Sequence, residues 1–107
     1  MALYSVEQLQ GRRIEEGPLL FAVAISAANI LKDLREHITN TFGGRMSRYE
    51  TLAEQAIERA LDSLKAKARD GGFDGVIGVR IGHPKIVEGG VEVVVYGTPF
   101  RYVEGAP

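Results

Sequence analysis

The segment at residues 19–25, LLFAVAI, restricts the fold of this chain more than any other. All of its residues are apolar, and side chains of different size alternate with the two-residue period of a β-strand. One face carries Leu19, Phe21, Val23 and Ile25, and the other carries Leu20, Ala22 and Ala24. Because a strand that is apolar on both faces needs cover on both, we predict that both faces are buried.

Two further segments show the same period and complete a predicted sheet. The first, Gly75–Ile81, is predicted to place Ile77, Val79 and Ile81 on one face. The second, residues 91–98, is predicted to place Val91, Val93 and Val95 on one face and Val94 and Tyr96 on the other. Residues 82–90 between them contain Pro84 and a Gly-Gly pair, so we expect a hairpin with a loop.

Two helices are predicted between the first and second strands. The first has an apolar stripe with a four-residue spacing at Ile30, Leu34, Ile38 and Phe42, and it ends at a Gly-Gly pair. The second starts at a capping box formed by Ser47 and Glu50 and runs to about Asp70. Its apolar arc is rich in alanine, which permits close packing, and contains Ala53, Ala56, Ile57, Ala60, Leu61 and Leu64.

These elements predict one α+β domain over residues 1–107, with its core at about 18–100. It has two layers in the order β-α-α-β-β, with a three-stranded, mainly antiparallel sheet packed on helices. Two helices cover only one face of such a sheet, whereas the first and third strands are apolar on both. A second copy of the chain would cover the other face, so we expect a homo-oligomer; the alternative is cover by loops or by a terminal segment such as residues 100–103.

Composition excludes several classes of function. The chain has 13 Lys and Arg against 14 Asp and Glu, a net charge of -1, which argues against a nucleic-acid or anionic membrane surface. It has no cysteine, which excludes disulfides, thiolate nucleophiles and thiolate metal sites. Arg12 and Arg13 precede an apolar run at residues 18–31, but Glu15 and Glu16 separate the two, so we expect a cytoplasmic protein without a signal peptide.

The best candidate ligand site lies where the second helix begins. Gly43, Gly44, Arg45 and Ser47 combine free backbone N–H groups, the positive end of the helix dipole and one guanidinium, which could hold an anion. The architectural alternative is that the glycines end one helix, that Ser47 caps the next, and that Arg45 pairs with a neighbouring carboxylate or subunit.

Two further arrangements have metal-binding residue types. Asp33 and His37 are four residues apart on the first predicted helix and could share a divalent ion, although two ligands are fewer than zinc usually takes. The alternative is a solvated pair. A ladder of carboxylates follows the second helix at Glu50, Glu54, Glu58 and Asp62. A helix holds such groups in a line, so this ladder is interpreted as a solvated face.

The sequence contains no nucleophile elbow, phosphate-binding loop or other catalytic motif. His83 precedes Pro84 and is interpreted as part of a turn. We therefore predict a non-catalytic protein without a cofactor, and an enzyme whose site is assembled across subunits stays as an alternative.

Several motifs together resemble the YbjQ-like family of uncharacterised bacterial proteins, over about residues 20–98. They are Asn29-Ile30, Lys32-Asp33, Gly43-Gly44-Arg45 with Tyr49-Glu50, the alanine-rich helix, Gly75-Val-Ile-Gly-Val79, and Val93-x-Val95-x-Gly97-Thr98. The resemblance implies a dodecin-subunit-like fold that assembles into a homopentameric ring, and it brings the label "putative heavy-metal-binding". The predicted function is thus a ring-forming protein that binds a small ligand or anion at a subunit boundary; the alternative is metal binding.

Overall fold

A computed structural model describes residues 1–27, 45–87 and 89–103 of the chain, with the side chains of residues 45–48 and 87 left out. This part of the chain forms one helix and a six-stranded sheet. In chain order the elements are β1 (Ala2–Leu3), β2 (Ile14–Glu16), β3 (Leu20–Ala27), α1 (Arg45–Asp70), β4 (Gly75–Ile81), β5 (Lys85–Val87) and β6 (Gly90–Tyr102).

Strand β6 is the centre of the sheet. On one side it pairs antiparallel with β3, from Leu20 opposite Gly97 to Ala27 opposite Gly90, and further along with β2. On the other side it pairs antiparallel with β4 and β5. Strand β1 joins the outer side of β4 in parallel. The fold is therefore a small α+β arrangement in which the described helix packs on a mixed sheet.

The three predicted strands are confirmed as β3, β4 and β6, but the prediction of a three-stranded sheet is wrong. The extra strands β1, β2 and β5 are two or three residues long. A strand of that length cannot show a period, because its pattern has at most one repeat.

The predicted face of β4 is also wrong, because the strand contains a bulge between Ile77 and Arg80. Gly78 lies there at a φ of 61°, a left-handed conformation that suits glycine. The extra residue shifts the alternation, so that Ile77 and Arg80 lie on the same face and Ile81 lies on the other. Val79 packs with the helix-side core, whereas Ile77 does not.

Helix α1 ends at Asp70, as predicted, and begins at Arg45, two residues before the predicted cap. Ser47 thus lies inside the first turn and does not precede the helix. The buried residues recur every four positions at Leu52, Ala56, Ala60, Leu64 and Ala68. Three members of the predicted arc are among them, and Ala53, Ile57 and Leu61 pack beside them half-buried.

The core lies between α1 and the sheet. The small residues Ala22 and Ala24 face the helix, together with Val91, Val93 and Val95 of β6. Alanines thus meet alanines at the centre of the contact, which lets α1 lie close to β3. The predicted alternation of β3 is confirmed, with the larger side chains turned away from the helix.

Other predictions about the helices have different outcomes. The first predicted helix, around residues 30–42, lies outside the described residues, so the two-helix layer stays a prediction. The carboxylate ladder, Glu50, Glu54, Glu58 and Asp62, is solvent-exposed, as its interpretation as a solvated face requires. No helix in the described part of the chain is both long and apolar enough to cross a bilayer.

Candidate functional site

The sheet face turned away from α1 carries a cluster of exposed apolar side chains, which we call the apolar patch. Its members are Phe21, Val23 and Ile25 of β3 and Val94 and Tyr96 of β6. Phe21 is 54% exposed, Val23 48%, Ile25 46%, Tyr96 41% and Val94 37%. Side chains of this size and type are usually buried, and the described residues leave all five accessible to solvent.

Strand pairing makes the patch continuous. Phe21 lies directly opposite Tyr96, and Val23 lies directly opposite Val94. Directly opposed side chains in an antiparallel pair are in contact range, so these four form a two-by-two apolar square. Ile25 extends the square along β3, where it lies opposite Glu92.

Charged residues border the patch on the side of β6 away from β3. Arg80 of β4 lies opposite Tyr96 at one end, and Lys85 of β5 lies opposite Glu92 at the other. Between them the Gly82 amide donates to the Val94 carbonyl at 2.7 Å, and glycine adds no side chain there. The patch is therefore an uncharged centre with a polar rim, which is the usual anatomy of a protein interface.

The other half of the same face is covered by the chain itself. Phe100 is fully buried and Ile77 is 3% exposed, yet neither belongs to the helix-side core. The ring of Tyr4 lies 6.4 Å from that of Phe100, and Tyr102 packs edge-on against Phe100 at 5.2 Å. The N-terminal segment thus covers this half of the sheet face.

Backbone hydrogen bonds hold the N-terminal segment against β4. The Tyr4 amide donates to the Val76 carbonyl at 2.8 Å, and the Val79 amide donates to the Tyr4 carbonyl at 2.9 Å. At the bulge, the Gly78 amide donates to the Val6 carbonyl at 2.7 Å. The segment therefore extends the sheet edge and carries Tyr4 over the far face.

Arg80 marks the boundary between the covered half and the apolar patch. Its guanidinium donates to the Ser5 carbonyl at 2.7 Å and lies 3.4 Å from the Glu7 carboxylate.

Sequence reasoning missed the cover by the N-terminal segment, because residues 1–13 contain only the two-residue strand β1 and no periodic pattern. The alternative of cover by a terminal segment thus applies to one half of the face, and the segment is the N-terminal one.

The predicted ligand residues fall mostly outside the described residues. Gly43 and Gly44 lie there, as do both metal candidates, Asp33 and His37. Arg45 and Ser47 are in the first turn of α1, where only their backbone is described. His83 follows β4 in an exposed loop, as expected for a turn residue.

The described residues do not fit a heavy-metal site. In the ranges 1–27, 45–87 and 89–103, no three His, Asp or Glu side chains lie close enough to hold an ion together. Soft heavy metals prefer thiolate ligands, and the whole chain lacks cysteine.

Comparison with known proteins identifies the family. Residues 1–102 match a family model, YbjQ, whose description is "Putative heavy-metal-binding". The chain belongs to the YbjQ family. A UPF0145 protein of Halobacterium salinarum is 34% identical over 99 residues, which cover 92% of this chain and 95% of that protein. One from Clostridium novyi is 31% identical over 101 residues, covering 94% and 98%.

A solved structure supports the fold of this YbjQ family member. The crystal structure of a protein of unknown function from Pediococcus pentosaceus matches with a TM-score of 0.65. The match covers 96% of this chain and 98% of that one at 18% sequence identity. At this identity the likeness shows a shared fold.

Proposed function

We propose that this YbjQ family protein is a non-catalytic homo-oligomer that assembles through the apolar patch and binds a small ligand or anion at a subunit boundary. The single observation that carries the proposal is the exposure of five large apolar side chains on one sheet face, from 37% to 54%. A neighbouring copy that packs a different surface of its own against this face, as the head-to-tail contacts of a ring require, would remove the patch from water.

The contrast within the sheet face favours a second copy as the cover. Where the chain covers this face itself, Phe100 is fully buried. A contiguous apolar patch on a monomer commonly marks an interaction surface. Removing apolar area from water is worth about 25 cal/mol per Å² before the costs of association are counted. The homopentameric ring and its dodecin-like subunit are what the family resemblance adds to this proposal.

The ligand part of the proposal is supported by the start of α1. A helix that begins at Arg45 has free N–H groups and the positive end of its dipole in its first turn, which contains Arg45 and Ser47. If these residues lie near a neighbouring subunit, an anion held there would be shared between copies.

The assembly part is tested by placing a charge in the patch. We expect Val23→Lys to shift the protein from a discrete oligomer to a monomer in sedimentation velocity and native mass spectrometry at micromolar concentration, because an ammonium group cannot be stacked against an apolar face without a partner. Ile86→Lys is the matched control, since Ile86 is 64% exposed and lies outside the patch.

Far-UV circular dichroism verifies that each variant keeps its fold, and Tyr96→Lys provides a second charge at a different point of the patch. A wild-type chain that is monomeric at micromolar concentration would refute the assembly. So would an oligomer whose subunit number is the same in wild type, Val23→Lys and Tyr96→Lys.

Metal binding is the second candidate function, and the family description favours it. If this candidate function is correct, the wild-type protein retains a stoichiometric amount of metal after dialysis, as measured by elemental analysis. The variants Asp33→Ala and His37→Ala should retain less. Protein that stays metal-free after incubation with Zn²⁺, Ni²⁺ and Cu²⁺ would exclude this function and leave the assembly proposal intact.

A further inference from the structure

Strand β3 has a free edge in the described part of the chain. It pairs with β6 on one side, and no described strand pairs with it on the other. In an antiparallel ladder, alternate residues direct both their N–H and C=O groups to the same side. The carbonyls of Phe21 and Ile25 point to the free edge, because both accept hydrogen bonds from side chains of α1. The backbone groups of Val23, midway between them, point there too.

Two cations of α1 reach this edge. Arg59 donates from Nη1 to the Ile25 carbonyl at 2.7 Å, and Lys67 donates from Nζ to the Phe21 carbonyl at 2.9 Å. The Lys67 ammonium also lies 5.2 Å from the centre of the Phe21 ring, which belongs to the apolar patch. Each side chain thus crosses from the helix layer to the outer edge of the sheet.

The spacing of the two contacts follows from the geometry of helix and strand. Eight residues of helix, from Arg59 to Lys67, rise about 12 Å. Four residues of strand, from Phe21 to Ile25, rise about 13 Å. These two distances are nearly equal, and α1 runs antiparallel to β3. Two cations eight positions apart on the helix therefore meet two carbonyls four positions apart on the strand.

Strand β3 needs such protection because its own sequence offers none. Its eight residues, LFAVAISA, contain no charge, no proline and no glycine. An uncharged, apolar segment of this length on a sheet edge is the typical template for uncontrolled strand pairing. Natural sheets usually prevent this with a charged residue on the edge strand, and here the charge comes from the helix.

We propose that Arg59 and Lys67 form an edge clasp that closes β3 to strand addition, so that copies of the chain meet through the apolar patch and not through this edge. An added strand must donate its N–H groups to the Phe21 and Ile25 carbonyls, and both already accept a bond from a cation. This inference extends the proposed function by assigning the mode of association, and its test does not depend on the patch.

The test compares two double variants of the full-length chain. Arg59→Met with Lys67→Met removes both donors of the clasp and keeps long side chains that favour a helix. Lys65→Met with Arg69→Met is the matched control. It also removes two positive charges from α1, but neither of these side chains forms a hydrogen bond or ion pair with the described residues of β3. Each double variant changes the net charge from -1 to -3.

We expect the clasp variant to form larger, open-ended assemblies in light scattering, with thioflavin T fluorescence that rises several-fold over wild type on incubation. Wild type and the control pair are expected to keep one size and a flat signal. The exchange variant Arg59→Lys with Lys67→Arg retains a donor at both positions and should behave as wild type.

A clasp variant with the same size distribution as wild type and flat thioflavin T fluorescence would overturn the proposal. An equal rise of fluorescence in the control pair would also overturn it. If the double variant does not fold by circular dichroism, the single changes Arg59→Met and Lys67→Met supply the same comparison, each opening one carbonyl. A monomeric wild type would refute the assembly proposal alone, since the clasp is judged by the difference between variant and control.

Discussion

The two halves of the far sheet face differ in how they are covered, although they are parts of the same sheet. At one end, Phe100 and Ile77 are shielded by the N-terminal segment. At the other, Phe21 and Tyr96 lie opposite each other and remain about half exposed. The difference shows that an apolar residue on this face is buried only where a further piece of chain can be anchored beside it.

The anchoring is a matter of backbone groups at the sheet edges. On the β4 side, Tyr4 and Val6 exchange hydrogen bonds with residues 76–79, which fixes the covering segment in place. On the β3 side, two outward carbonyls are already occupied by Arg59 and Lys67. Among the described residues, the first edge holds a segment that then folds over the face, whereas the second edge holds none.

The largest expected effect contrasts a phenylalanine from each half. We expect Phe100→Ala to lower the free energy of unfolding by about 3–5 kcal/mol at every protein concentration, because it leaves a cavity in a fully buried site. Phe21→Ala should cost about 1 kcal/mol in the dilute chain, since half of that side chain is already in water. Urea unfolding at two protein concentrations measures both values.

The concentration dependence separates the two halves. If the patch is an interface, the cost of Phe21→Ala increases with protein concentration, whereas the cost of Phe100→Ala does not. A concentration-independent loss for Phe21→Ala as large as that of Phe100→Ala would show that the patch is covered within one chain.

A smaller effect is expected from the covering segment itself. We expect Tyr4→Ala to cost about 1–3 kcal/mol, because it removes a ring that packs on Phe100. It should also speed hydrogen exchange at the amides of Gly78 and Val79, which donate to carbonyls of that segment. Tyr96→Ala in the patch is the matched control and should leave these two amides protected; faster exchange in both variants would contradict a cover specific to the N-terminal segment.

The long elements were predictable from the sequence, because a repeating pattern of apolar side chains can be recognised only over several residues. The strands β3, β4 and β6 and the end of α1 at Asp70 follow from alternation and from the Gly-Gly stop. The apolar patch was predictable too, since Phe21 and Val23 leave no polar face on β3. The short strands and the N-terminal cover were not, because two or three residues carry no period.

The edge contacts could not be predicted for a different reason. Arg59 and Lys67 look like ordinary solvated cations on a helix, and their role depends on the register between α1 and β3. That register is set by the packing of alanines such as Ala56 and Ala60 against the sheet, which is a property of the folded chain. The predicted ligand residues Gly43 and Gly44 lie outside the described residues and stay a prediction.

The bulge at Gly78 reverses the alternation of side chains between the two faces of β4. Before the bulge, the odd-numbered residues of β4 lie on the face away from α1, and after it the even-numbered Arg80 does. This change of face places Arg80 beside Glu7. If the same residues paired with β6 without the bulge, Arg80 would turn to the helix side of the sheet and Val79 to the far face. Anyone who redesigns this strand must therefore count its residues before choosing them.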